Sequence, residues 1–192
     1  MCTVAAKDSG WQSIDAKRLL RWAGERKTYK PSSSADDGER SGQNPAMGNI
    51  SAAEAAADSG YTEGSWDWLH LIAFTLGGIN ENKINHPDNL VSGTLGANRV
   101  HKVIEDTIKK LLDNKITYEV QVRAIAHVKP ASYHLCVKLE YGLRFKMGMI
   151  GDLKDYYFTI DPLDPNPAQG GNLQILTTSL ESLSGFTYSG FK

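Results

Sequence analysis

Two segments in the second half of the chain alternate apolar and polar residues with a period of two. Their apolar members are Ile116, Tyr118, Val120 and Val122 in the first segment and Leu135, Val137, Leu139 and Tyr141 in the second. This period predicts half-buried antiparallel strands, because successive side chains of a strand point to opposite faces. Residues 129–132 form the predicted connection, and residues 156–160 are a candidate third strand.

A helical period replaces the strand period between Ala97 and Asp113. The apolar positions that repeat at helical spacing are Val100, Val103, Ile104, Ile108 and Leu111. They predict a helix with one buried face. Asn98 and Glu105 are two turns apart and point in nearly the same direction, with His101 and Lys102 beside them. This second face is interpreted either as a solvated surface or as part of a site.

Bulky apolar residues between Trp66 and Phe74 predict a buried strand, which Gly77 and Gly78 follow. The polar loop INENKINHPD then leads to a short predicted strand at residues 89–91. His70 lies within the apolar run. A histidine in such surroundings is either a satisfied core residue or a catalytic base, and the strand by itself favours the core reading.

The first 60 residues differ in composition from the rest. We predict an amphipathic helix over residues 13–26, a polar linker over residues 30–49 and a short helix over residues 51–57. Ser51 and Glu54 have the spacing of a capping box at the start of that last helix. The predicted organisation is therefore an N-terminal extension, residues 1–60, followed by one domain, residues 61–192.

Composition and charge narrow the classes of function. The 192 residues are 41% hydrophobic and 22% charged, with a formal net charge of −1. The chain has no overall positive charge that would favour binding to nucleic acid. A nucleic-acid function therefore requires a local site, where a metal ion can supply positive charge. Cys2 and Cys136 form no disulfide framework, and no Cys/His cluster has zinc spacing.

The chain carries no sequence feature that indicates a membrane. No apolar run approaches the roughly 20 residues that a transmembrane helix needs. The N-terminus lacks the basic and apolar regions of a secretory signal, so none is predicted. No membrane partner is therefore expected, and the sequence assigns no compartment.

Several motifs occur in order between Trp66 and Glu105. HLIAFTLGG starts at His70, NLVSGT starts at Asn89, and Asn98 is followed seven residues later by Glu105. This order resembles the DNA-entry nucleases and the DNA/RNA non-specific endonucleases, which belong to the ββα-metal, or His-Me finger, nucleases. The resemblance implies an α+β fold: a ββα-metal core with an antiparallel sheet and flanking helices.

The same resemblance implies roles for four residues. His70 matches the general base, and Asn98 matches the asparagine that ligates the metal. Asn89 matches the asparagine of the second strand that helps to orient the catalytic site. Glu105 matches the helix glutamate that orders water on the metal, although it falls one position nearer to the asparagine than usual.

One position departs from the family pattern. The family usually has arginine two residues before the histidine, and Trp68 occupies that place here, although Asp67 keeps the preceding acidic residue. The cation that binds the substrate phosphate is therefore left open. The candidates are Arg99, Lys102 and Arg123.

The implied reaction is hydrolysis of a phosphodiester. A histidine whose pKa is near neutrality can take the proton of the attacking water. Mg²⁺, with Mn²⁺ as an alternative, stabilises developing charge on the phosphate, and it prefers oxygen ligands while keeping several waters. The expected substrate is DNA, with RNA as an alternative.

Two further hypotheses concern biological role. The layout of a polar first third and a compact catalytic region resembles the toxin modules of bacterial effectors, which a specialised secretion system delivers and an immunity protein inhibits. The competing hypothesis is an inactive nuclease-fold domain that binds nucleic acid or a protein. A different type of hydrolase has no motif to support it.

Overall fold

The computed structural model describes residues 5–15, 42–80, 83–113, 117–130, 134–147 and 153–166. The chain folds as helices combined with antiparallel sheets, which confirms the predicted α+β class. The strands are β1 Ala5–Asp8, β2 Gln12–Ile14, β3 Trp66–His70, β4 Leu90–Thr94, β5 Thr117–Val128, β6 Cys136–Met147 and β7 Leu153–Ile160. The α-helices are α1 Gln43–Ala46, α2 Ala52–Ala57 and α3 Leu95–Asp113.

The larger sheet has five strands, all paired in antiparallel fashion. Its order is β1-β5-β6-β7, and β2 also pairs with β5. The alternating patterns predicted β5 and β6 correctly, and the candidate strand over residues 156–160 lies in β7. The strands extend beyond the predicted segments. Every second residue of β5 from Val120 to Val128 is buried, as the period of two requires.

The second sheet is the hairpin of β3 and β4, in which His70 pairs with Leu90. The predicted strand over residues 66–74 ends early, at His70, and a short 3-10 helix covers Phe74–Leu76. A second 3-10 helix, Pro87–Asn89, precedes β4, so Asn89 itself lies just outside the strand.

Helix α3 begins directly after β4 and packs on the larger sheet. The hydroxyl of Thr94 accepts a hydrogen bond of 3.2 Å from the backbone N–H of Ala97, as an N-cap does. The apolar residues of α3 with described side chains form one core with those of the sheet and the hairpin: Val100, Val103, Ile104, Ile108, Val120, Val122, Leu139 and Leu143. The predicted helix is confirmed.

A second, smaller apolar cluster covers the other face of the hairpin. It joins Met47 and the small residues of α2 to Trp68 and Leu90. The short helix α2 and its capping box at Ser51 and Glu54 are confirmed. The indole N–H of Trp68 donates a 2.9 Å hydrogen bond to the side-chain oxygen of Asn44.

The described parts of residues 1–60 do not form a separate extension. Ser13 and Ile14 lie in β2, so the predicted helix over residues 13–26 is wrong at its start, and residues 16–26 lie outside the described residues. Helix α1 occupies part of the predicted linker. Strands β1 and β2 complete the larger sheet, so the packing shows no boundary at residue 60.

No helix in the described ranges is long and apolar enough to cross a membrane.

Candidate functional site

Asn98 lies in the second turn of α3 and contacts strand β3. Its side-chain Nδ2 donates a 2.8 Å hydrogen bond to Oδ2 of Asp67. Because Nδ2 is the donor end of the amide, this bond fixes the orientation of the side chain and turns its carbonyl oxygen away from the carboxylate. That oxygen is the atom with which an asparagine ligates a cation.

His70 ends β3 and is half-buried. Its Nε2 lies 3.0 Å from Oδ1 of Asn85, in the loop before β4. An amide oxygen only accepts hydrogen bonds, so this contact favours a proton on Nε2 and leaves Nδ1 as the basic nitrogen. Burial lowers the pKa of His70 below 6.5, and the hydrogen bond to Asn85 and the charge of Asp67 partly oppose that shift.

Asn89 holds two backbone segments together beneath the loop that carries Asn85. Its Oδ1 accepts a 2.8 Å hydrogen bond from the N–H of Ile72, and its Nδ2 donates 2.9 Å bonds to the carbonyls of Ile72 and Ile84. The side chain is fully buried. Asn89 therefore fixes the backbone at Ile72 and Ile84 relative to the start of β4.

Replacing Asn89 by alanine is expected to lower the free energy of unfolding by about 3 kcal/mol. The substitution leaves one N–H and two carbonyl groups without their buried partner, and each such group costs about 1–3 kcal/mol before relaxation. Denaturant titration measures the change. Asn166→Ala, at an exposed position, is the matched control, and equal stability of the two variants would contradict this role for Asn89.

Glu105 lies two turns beyond Asn98 on the same side of α3. Its Oε2 accepts a 3.2 Å hydrogen bond from the hydroxyl of Thr75. Burial raises the pKa of Glu105 to about 7, against the opposing charge of Lys109 and the bond from Thr75. A cation beside this carboxyl would favour its ionised form.

The sequence pattern predicts His101 on the polar face of α3, but the structure buries this side chain. It is only 1% exposed, because it shares the buried stripe of Ala97, Ile104 and Ile108. Its ring meets the ring of Tyr141 of β6 edge to face, with 5.1 Å between centroids. Burial, and then the charge of His70, lower the pKa of His101 to about 4.

The pleat of β3 sets His70 and Asp67 on opposite faces of the hairpin. Leu69 faces the α3 core, and Asp67, two residues earlier, shares that face. His70 pairs with Leu90, which belongs to the smaller cluster on the other face. Among the described residues, no hydrogen bond joins His70 to Asn98 or to Glu105.

The three cationic residues proposed for phosphate binding lie on two different elements of the structure. Arg99 and Lys102 are exposed on α3, and the charge of Lys102 lowers the pKa of Glu105. Arg123 lies on the face of the larger sheet that points away from α3 and forms an ion pair with Asp8. The structure therefore brings Arg99 and Lys102 to the helix that carries Asn98 and leaves Arg123 elsewhere.

Sequence reasoning did not assign roles to Asn85, Thr75 or Tyr141. Asn85 is one of several polar residues in its loop, and nothing in the pattern separates it from its neighbours. Tyr141 appeared only as an apolar position of a strand. The burial of His101 is predictable from the sequence, because residues 97, 101, 104 and 108 repeat at helical spacing.

The side chains here fit a magnesium ion only with many water ligands. No three His, Cys, Asp or Glu residues in the described part of the chain converge as a metal site. The amide oxygen of Asn98 is nevertheless a donor of the type that Mg²⁺ prefers, and Mg²⁺ commonly binds through one or two protein ligands. Glu105 is about 10.5 Å further along the helix axis, which favours a contact through water.

No model of a known protein family matches this chain. No curated protein matches it either.

Proposed function

We propose that the chain is a metal-dependent endonuclease of the ββα-metal type that hydrolyses phosphodiester bonds of DNA with little sequence preference. The observation that carries the proposal is the hydrogen bond between Asp67 and Asn98. It ties the strand of His70 to the first turns of α3 and orients an amide oxygen for a cation. The order of β3, β4 and α3 supports the same reading.

His70 is the proton acceptor in this proposal. Asn85 holds Nε2, so Nδ1 takes the proton of the attacking water. The lowered pKa keeps the imidazole neutral at pH 7, which a base requires. The half-buried position limits the imidazole to a narrow range of orientations, and this pre-organisation contributes to the rate.

Asn98 would hold Mg²⁺ through its amide oxygen, which Asp67 orients, and Glu105 would order water on the same side of α3. When bound, the ion supplies a positive charge that stabilises negative charge on the phosphate and on the leaving 3′ oxygen. Lys102 and Arg99 attract the phosphate backbone from the exposed side of the helix.

A second candidate is a module that binds nucleic acid or a protein without cleaving. Two observations favour it: Trp68 replaces the family arginine and packs in the smaller apolar cluster, and His70 and Asp67 lie on opposite faces of β3. An antibacterial effector toxin with a cognate immunity protein is the biological role that we propose for the active enzyme.

The two candidates separate when the wild-type chain is incubated with plasmid DNA, single-stranded DNA and RNA. Each substrate is tested with Mg²⁺, with Mn²⁺ and with chelator, and binding is followed in parallel by gel shift. Cleavage that needs the metal supports the enzyme, and the substrate cut fastest identifies its class. Binding without cleavage in either metal would favour the binding module.

The midpoint of the acid-side fall in cleavage rate is expected to lie below pH 6.5. His70 must be neutral to accept a proton, and burial lowers its pKa from 6.5, so protonation of the base requires more acid than for a free histidine. The measurement is the initial cleavage rate at saturating Mg²⁺ from pH 5 to 8. A midpoint at or above pH 6.5 that persists in Glu105→Gln, which removes the carboxyl with a pKa of about 7, would contradict the lowered pKa.

A further inference from the structure

Two polar atoms lie unpaired beneath the candidate site. Nε2 of His101 and the hydroxyl of Tyr141 are fully buried, and neither has a hydrogen-bond partner in the described part of the chain. The two rings touch edge to face, with centroids 5.1 Å apart. His101 belongs to α3 and Tyr141 to the central strand β6, so both atoms lie between the helix and the sheet.

Buried polar groups without partners are rare, because leaving one unpaired costs the free energy of its lost hydration. Two such groups on touching side chains point to a shared partner. A buried water molecule is the smallest partner that fits, and internal waters commonly bond to about three polar groups.

The chemistry of the two side chains is complementary for one water. Burial raises the pKa of Tyr141 well above 10, so its hydroxyl keeps its proton and can donate it. His101 stays neutral and offers one ring nitrogen as an acceptor. A water can therefore accept from Tyr141 and donate to Nε2 of His101.

We propose that His101 and Tyr141 bind one internal water molecule, whose second hydrogen is donated to the carboxylate of Glu105. His101 and Glu105 are four residues apart on α3 and are therefore neighbours on the same side of the helix. The network makes His101 and Tyr141 positioning residues for Glu105. The two unpaired atoms support the water site independently of any activity. Only the role of this water in cleavage rests on the proposed function.

A double-mutant cycle in thermal stability tests the water site without any assay of activity. The variants are Tyr141→Phe, His101→Phe and the double variant, each of which keeps an aromatic ring in the contact. If the water joins the two residues, each single change lowers Tm, and the double change lowers it by little more than either one. Tyr157→Phe, on the exposed face of the sheet, is the control.

His101→Gln restores a polar atom near the position of Nε2 and is expected to recover most of the lost Tm. This variant keeps the test decisive if His101→Phe does not fold. A crystal structure of the wild-type chain should show one ordered water within hydrogen-bond distance of both atoms. Unchanged or higher Tm in Tyr141→Phe, or a dry contact in the crystal, would overturn the proposal.

The role in cleavage has its own readout. Tyr141→Phe is expected to lower kcat about fivefold and to leave KM for plasmid DNA unchanged, because Glu105 loses its support and substrate binding does not. If the double-mutant cycle shows that the losses of Tm are coupled but kcat of Tyr141→Phe is unchanged, the positioning role is overturned. If the losses of Tm are coupled but the wild-type chain cleaves no substrate, the water site is supported and the proposed nuclease function is refuted.

Discussion

His70→Ala is expected to lower the rate of DNA cleavage about 1,000-fold. A positioned general base contributes about 100- to 10,000-fold, and no other described imidazole is placed to take over. His101, the histidine whose pKa responds to the charge of His70, is buried and has its pKa lowered to about 4. The measurement is the initial rate of plasmid nicking at saturating Mg²⁺.

His86→Ala is the matched control, because His86 also lies near the hairpin, in the same loop as Asn85, and is partly exposed. Its rate should stay within about twofold of wild type. Equal losses in the two variants, or a His70→Ala variant that still cleaves while folded, would remove His70 from the mechanism.

Asn98→Ala is expected to lower cleavage about 100-fold and to raise the Mg²⁺ concentration needed for half the maximal rate. The substitution removes the amide oxygen and leaves Oδ2 of Asp67 without its donor. Loss of one ligand weakens a site that has few protein ligands to begin with. The measurement is the cleavage rate as a function of Mg²⁺ concentration.

Two further variants sharpen this result. Asn98→Asp keeps an oxygen ligand and is expected to retain more activity than Asn98→Ala at high Mg²⁺. Gln121→Ala changes an amide residue on the face of the larger sheet away from α3 and should leave the metal dependence unchanged. An Asn98→Ala variant with wild-type metal dependence would contradict the ligand role.

Regular elements with a strong period were predictable from sequence. The alternation in β5 and β6 and the helical repeat in α3 each follow from a single buried face, so local patterning decides them. The capping box at Ser51 and Glu54 was predictable for the same reason, because its hydrogen bonds form within four residues.

Elements that depend on distant partners were not predictable. Ser13 and Ile14 fit a helical stripe, yet they lie in β2 because β5 offers them a hydrogen-bonded edge more than 100 residues away. Tertiary pairing of this kind overrides local propensity. Trp68 illustrates the same limit, because only the packing of α1 and α2 shows why an apolar residue occupies that position.

The candidate site also combines residues that the sequence singles out with partners that only the structure shows. Motif order singled out His70, Asn98 and Glu105, but their partners Asn85, Asp67 and Thr75 acquired roles only from the structure. Arg123 was a reasonable cation by sequence, and its ion pair with Asp8 depends on the pairing of β1 with β5.

We expect this chain to cleave DNA with a metal ion and with His70 as the base. The most direct test of this mechanism is plasmid nicking by the wild type and by His70→Ala, in Mg²⁺ and in chelator, on the same gel. We expect nicking only by the wild type in Mg²⁺. Nicking in chelator, or equal nicking by folded His70→Ala, would contradict the claim.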